Sequence, residues 1–305
     1  MKIYKNFNIG KRFQNSAIAI GNFDGFHLGH QRVIKKGKQI ARKNNLKFGL
    51  MVFQPLPVMF FNKNLKNYRI DSLRQKINSS KKYGINFLIV KKFDKKFSKN
   101  TSDVFVKDIL HKKLKAKFIF VSNNFRFGYK REGNVFLLKK FQKFYGYKII
   151  NPKPLKKKNK IISSTLVRKL LRAGKLNLAN NYLNRNWSIE GVVEKGRRVA
   201  KKIGFPTCNI SLGNYIIAKP GVYAVKVFSK NINKPLKGIA NLGYRPTFNQ
   251  KKILLEVNLF NFSRNLYNKK LTVEFIKFIR KEKKFKGINS LRKQIKLDLK
   301  IAKKV

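Results

Sequence analysis

Between residues 17 and about 150 the chain alternates short apolar runs with longer amphipathic ones, and few architectures accept that order. The runs AIAIGN, FGLMVF, NFLIV, KFIFVS and YKIIN read as strands. Between them HQRVIKKGKQIARKN, DSLRQKINSSKKYG, SDVFVKDILHKKL and NVFLLKKFQKFYG read as helices. Strands separated by helices pair in parallel, so a doubly wound sheet is predicted. A ligand of such a sheet sits beyond the carboxyl ends of its strands, which is where the segment GNFDGFHLGH (21–30) falls.

The pattern then changes. The basic stretch KPLKKKNK (153–160) reads as a solvated mobile loop, followed by two helical stretches, SSTLVRKLLRAG and LNLANNYL. After Trp187 come SIEGVVEKG, GVYAVKVFS, KGIANLG, ILLEVNLFNF and KLTVEFIKFI, separated by Gly, Pro and Asn turns and closed by one long helix, INSLRKQIKLDLKIAKK. This predicts a small antiparallel barrel with a C-terminal helix. The expected fold is therefore α/β over residues 1–185 and a β-barrel over residues 186–305. At 305 residues and 43% hydrophobic content the chain can fill two cores.

A single cysteine, Cys208, forms no internal disulfide, the start lacks a signal-peptide apolar region, and no apolar stretch is long enough to span a bilayer. A cytoplasmic protein with no membrane partner is expected. The charge is extreme: 73 Lys and Arg against 12 Asp and Glu, a formal +61. It is spread along the whole chain with abundant Asn, Ile and Phe, as an AT-biased genome would produce, and no RNP motif, zinc-finger spacing or basic zipper accompanies it. No dedicated nucleic-acid partner is expected, only salt-sensitive adsorption to polyanions and attraction of anionic substrates such as ATP.

His27 and His30 lie three apart at a helix start and so share one face. Cys208 is isolated and His111 sits in another helix, so no third metal ligand is at hand. Gly21, Gly25 and Gly29 let backbone approach a ligand, and the helix start behind them offers unpaired N–H groups, which suits a polyphosphate.

GNFDGFHLGH resembles the H-x-G-H signature of nucleotidyltransferases, in the form found in prokaryotic bifunctional riboflavin kinase/FAD synthetases. VFQPLPVMFF (52–61), FVSNNFRFGYKREG (120–133) and ISSTLVRKLL (162–171) resemble further segments of that family, in the same order. IGFPTCNI (203–210), GIANLGYRPTF (238–248) and the run from Leu255 to Phe285 resemble the family's kinase half.

The resemblance implies a Rossmann-like nucleotidyltransferase domain that transfers AMP from ATP to FMN, and a barrel that phosphorylates riboflavin, with Mg2+ as cofactor. It implies that His27, His30 and Arg168 act on the triphosphate, with Gly21, Phe23, Asp24, Gly25, Gly29, Ser163, Ser164 and Thr165 around it. Asn124, Phe125, Arg126 and Phe127 would contact the flavin in that site. In the kinase half it implies Glu256 as general base, Thr207 and Asn209 as Mg2+ ligands, and Gly196 and Lys201 as phosphate cover.

Departures from the family pattern are Gln54 for Glu, Leu56 for His, Asn124 for Asp, Ala200 for Gly and Asn258 for His. Asn124 keeps an acceptor oxygen without charge, so weaker direct Mg2+ binding and a changed rate of adenylyl transfer are expected there; Ala200 lacks the freedom of a glycine, so a slower kinase is expected. The alternatives are a chain with only one of the two activities, an adenylyltransferase for another phosphorylated acceptor, or a basic nucleic-acid-binding protein with degenerate sites. An adenylyltransferase for another acceptor would not need the kinase-like half.

Overall fold

A computed structural model describes residues 1–195, 204–230, 234–246 and 251–305. They form two compact units, Met1–Leu65 with Leu73–Ser163, and Lys66–Ser72 with Ser164–Val305.

The first unit carries β1 (Lys2–Tyr4), β2 (Ala17–Ile20), β3 (Phe48–Gln54), β4 (Phe87–Lys92), β5 (Phe118–Phe120), β6 (Arg126–Phe127), β7 (Gly133–Asn134), β8 (Lys148–Ile150), β9 (Lys156–Lys157) and β10 (Lys160–Ile161). Its main sheet has the order β1-β4-β3-β2-β5-β8, with every pair parallel. Helices Leu28–Lys43, Leu73–Lys82 and Val135–Tyr145 make crossovers, as the sequence predicts. Successive strand residues point to opposite faces, and both faces are covered. Ile18, Ile20, Met51 and Ile89 pack on one side with Leu110 and Leu138, while Ala17, Ala19, Leu50 and Leu88 pack on the other with Ile34 and Ala41.

Two elements differ from the expectation. The crossover before β5 winds as a π-helix over Phe105–Lys113, and its wider turn sets Phe105, Val106, Ile109 and Leu110 together against the core. The stretch 153–160 is no plain loop: β9 and β10 pair as an antiparallel hairpin. Its two turn residues, Lys158 and Asn159, have φ of 47° and 58°, the left-handed pair that a tight hairpin turn demands.

The second unit carries β11 (Ser188–Glu194), β12 (Cys208–Ser211), β13 (Gly221–Phe228), β14 (Leu236–Pro246), β15 (Lys251–Leu259) and β16 (Lys270–Lys281), closed as the antiparallel barrel β11-β12-β15-β14-β13-β16. Trp187 is fully buried at its start, with the ring 4.7 Å from that of Phe275 and Nε1 donating to the Ile70 carbonyl. Helices Ser164–Arg172 and Leu176–Leu183 belong to this unit, and the C-terminal helix Ile288–Lys303 packs against β13, β14 and β16.

Candidate active sites

In the first unit, β2 ends at Ile20 and the chain turns through residues 21–27 at the carboxyl edge of the sheet. The turn is strained: Phe23, Gly25 and Phe26 have φ of 45°, 90° and 43°. Only glycine accepts such angles freely, and each bulky residue there costs about 1–3 kcal/mol. Burial of both phenylalanine rings offsets this, with Phe26 stacked on Tyr83 at 5.8 Å and 10°. Strain carried by buried aromatics marks a loop whose shape matters more than its stability.

His27 is the N-cap of helix Leu28–Lys43, its Nδ1 accepting from the His30 backbone N–H at 3.4 Å. That bond leaves the ring proton to Nε2. The two imidazoles stack with centroids 3.7 Å apart at 22°, so the pair acts as one surface. Gly29 has a steric reason. A Cβ there would come within 3.0 Å of both His27 Cε1 and the Ile162 carbonyl oxygen. The histidine loop and the residue before Ser163 are thus in close packing. Gly21 is under no such demand, because its Cβ would meet Phe23 at 3.5 Å, an ordinary contact.

Asp24 is buried beside this loop but does not cap the helix. Lys76, a residue that sequence reasoning missed, is 2% exposed and its ammonium donates to the Asn22 carbonyl at 2.6 Å. A lone lysine among 73 basic residues carries no signal in the sequence.

The segment 122–134 presents Asn124 and Arg126 to solvent, with Asn124 Oδ1 accepting from Ser122 Oγ at 2.9 Å. Phe125 stacks on Phe127, and Phe127 is buried in the sheet core against Phe105. Leu56 is also fully buried, at the N-cap of helix Pro57–Phe61, while Gln54 ends β3. Ser163 closes the first unit and Ser164 opens the second; Thr165 is exposed. Within the second unit Arg168 is buried, its guanidinium 3.7 Å above the Tyr68 ring and its Nε donating to the Tyr68 carbonyl at 2.8 Å. With Thr165, Lys169 and Arg172 it lines a cavity of about 450 Å³. Stacking and one hydrogen bond fix the plane of this guanidinium, as recognition of an anion requires.

The barrel brings a second group together. Asn209 on β12 lies opposite Glu256 on β15, and Glu256 lies opposite Asn241 on β14. Residues in register share a sheet face, so the three make one row. Thr207, Asn241, Glu256 and Asn258 line a single cavity of about 360 Å³, whose apolar part includes Val222 and Ile239. Asn209 Oδ1 is buried with no hydrogen-bond partner among the described residues, a costly state for an amide oxygen unless something binds it. Asn258 donates Nδ2 to the Pro206 carbonyl at 2.7 Å and so ties β15 to the loop that carries Thr207.

Cys208 alternates to the other face, and burial pushes its thiol up, away from nucleophilic use. Gly196, Ala200 and Lys201 lie outside the described residues. Asn241 and the terminal-helix wall were missed: Asn241 stands in a quoted segment, but only the strand register shows it beside Glu256.

Comparison with known proteins agrees with this division. The family described as FAD synthetase matches residues 10–166 and the family described as riboflavin kinase matches residues 183–305. The bifunctional riboflavin kinase/FMN adenylyltransferase of Buchnera aphidicola subsp. Schizaphis graminum is 42% identical, over 100% of this chain and 98% of that protein. Its namesakes from Haemophilus influenzae and Escherichia coli K12 are 38% and 36% identical, covering 97% and 93% of this chain and 96% and 91% of theirs. A crystal structure described as a macrolide-efflux protein from Streptococcus pneumoniae superposes with a TM-score of 0.85 at 26% identity, over 99% of this chain and 98% of that one. Among the described residues of this chain no helix is long and apolar enough to cross a membrane. With two family matches in series and full-length relatives well above 30% identity, the chain belongs to the bifunctional riboflavin kinase/FMN adenylyltransferase family.

Proposed function

We infer that this enzyme, a bifunctional transferase, phosphorylates riboflavin to FMN with one ATP and adenylylates FMN with a second, giving FAD and pyrophosphate. We assign adenylyl transfer to residues 1–185, phosphorylation to residues 186–305, and the protein to the cytoplasm, with no dedicated nucleic-acid partner. The observation that carries the reading is the row Asn209, Glu256, Asn241, of which Glu256 and Asn241 line a cavity with an apolar wall. A carboxylate, amide oxygens and an apolar surface meet there, as a flavin with a primary hydroxyl requires.

In the kinase site Glu256 takes the proton of the riboflavin 5′-hydroxyl as that oxygen attacks the γ-phosphorus and ADP leaves. Asn209 Oδ1 and the Thr207 hydroxyl are hard oxygen donors and fit Mg2+. Among the described residues no group of three His, Cys, Asp or Glu could hold a metal ion, so the remaining ligands would be phosphate oxygens and water. Bound there, Mg2+ would offset charge on the transferring phosphoryl group. We assign the phosphate cover to Gly196 and Lys201.

In the adenylyltransferase site the FMN phosphate is already ionised and attacks the α-phosphorus without a base, so the protein's part is to orient and to neutralise. His27 Nε2 and the His30 ring offer donors to the triphosphate, and Arg168 offers a fixed fork. Gly21, Phe23, Asp24, Gly25 and Gly29 shape the loop, and Ser163, Ser164 and Thr165 supply further donors. Asn124, Phe125 and Arg126 form the flavin side, with buried Phe127 supporting Phe125 from behind.

A chromatographic product assay tests the whole reading. With riboflavin, ATP and Mg2+ the expected products are FMN and then FAD; with FMN in place of riboflavin, FAD alone. No product in either tube would overturn it. A finer test is Asn209→Ala, which should raise the Mg2+ concentration for half-maximal FMN formation by about 10- to 100-fold and leave FAD formation from FMN untouched. An unchanged Mg2+ titration would remove Asn209 from the ligand set.

A further inference from the structure

We propose that Arg280 and Asp298 are a positioning pair that sets the C-terminal helix as one wall of the riboflavin cavity, an inference that rests on the kinase reading above. Asp298 sits on helix Ile288–Lys303, yet its side chain is only 3% exposed. Its carboxylate accepts from Arg280 Nε at 3.0 Å on Oδ1 and 2.9 Å on Oδ2, and from Nη2 at 2.8 Å on Oδ2. Gln294, one turn earlier, donates to Oδ1 at 3.0 Å. Arg280 stands on β16 opposite Val222 of β13, and its Nη1 donates to the Lys281 carbonyl at 2.9 Å. The guanidinium is thus oriented from the barrel side and the carboxylate from the helix side.

The rest of the helix is held lightly. Ile288, Leu297 and Ile301 are exposed, and Asp298 and Ala302 are its buried residues. Leu291, Ile295 and Leu299, at fourfold spacing on one stripe, line the cavity that Glu256, Arg280 and Asp298 also line. Leu299 follows Asp298 directly, so a shift of the ion pair moves the apolar wall. An exposed pair would carry little weight, but here the carboxylate is almost wholly removed from water, and its loss would leave a partly buried guanidinium unneutralised. Only 12 carboxylates exist in the chain, and this one is placed inside rather than on a solvated face. The wall touches the ring end of a flavin; the row of Asn209 and Glu256 serves the hydroxyl and phosphate end. The pair should therefore govern riboflavin binding and not the transfer step.

The experiment compares Asp298→Asn and Arg280→Lys with the unsubstituted full chain. It reads kcat and KM for riboflavin, KM for ATP, and FAD formation from supplied FMN. For Asp298→Asn the expected result is a riboflavin KM raised about tenfold, with kcat within about threefold and both ATP KM and FAD formation unchanged. Arg280→Lys keeps the charge but loses the planar fork, so a smaller rise of the same kind is expected. An unchanged riboflavin KM, or a parallel rise in both KM values, overturns the proposal. Should Asp298→Asn fail to fold by circular dichroism, Arg280→Lys decides by the same criterion. Absence of riboflavin phosphorylation by the unsubstituted chain would instead overturn the kinase reading itself.

Discussion

Replacing Glu256 by Gln should abolish FMN formation, lowering kcat by about 10²- to 10⁴-fold, while FAD formation from supplied FMN continues at its original rate. The substitution keeps the shape and one acceptor oxygen and removes only the ability to accept a proton. A primary hydroxyl holds its proton at neutral pH, so the loss falls on the transfer step and riboflavin KM should change little. The competing reading makes Glu256 an ordinary strand carboxylate serving a lysine, in a chain with lysines to spare. Such a partnership is worth up to about 1 kcal/mol, and its removal would leave both activities intact. The two readings differ by orders of magnitude in one assay. Loss of both activities, or of neither, would sink the assignment of two separate sites. The register of β12, β15 and β14 favours the base, because it sets Glu256 between two amides on a cavity wall.

The sheet and the barrel could be read from sequence because their strands are apolar enough to announce a period, and their crossovers and turns are punctuated by Gly, Asn and Pro. The failures are where chemistry at a distance sets the structure. β1 is three residues long and includes a lysine, and it exists because β4 offers it an edge. β12 is not among the apolar runs that read as strands, and it becomes one by pairing with β15. The hairpin at β9 and β10 is the local exception: its strands are KK and KI, with no apolar period, and the left-handed turn at Lys158 and Asn159 folds them together.

The same division runs through the sites. Two histidines beside three glycines are rare enough to stand out, as is a carboxylate in a chain with 12 of them. Lys76 is invisible among 73 cations until burial singles it out. The shared cavity of Thr207, Glu256 and the terminal helix depends on barrel closure, which no local pattern encodes. The left-handed angles at Phe23 and Phe26 are equally silent, since sequence rules give such positions to glycine or asparagine.

The histidine pair yields the other large effect, and it needs two substitutions because His27 has two jobs. As N-cap it accepts the His30 N–H, and loss of a cap costs about 0.5–2 kcal/mol of stability. As a donor to the triphosphate it stabilises charge that builds during adenylyl transfer, and loss of one such donor costs about 10²- to 10³-fold in rate. His27→Ala removes both functions, so thermal stability and FAD formation should fall together. His27→Asn restores a strong capping side chain without an imidazole; stability should return and FAD formation should stay about 10²-fold down. His30→Ala leaves the cap acceptor on His27 in place, since the bond uses the His30 backbone, and should lower FAD formation by a similar factor with little effect on melting. FMN formation should be unaffected in all three, because the barrel is a separate unit. The decisive comparison is His27→Asn. If it recovers adenylyl transfer along with stability, the imidazole is only a cap and the anion is held elsewhere. If stability returns alone, the stacked rings, 3.7 Å apart at the carboxyl edge of the sheet, are the part of the loop that meets the triphosphate.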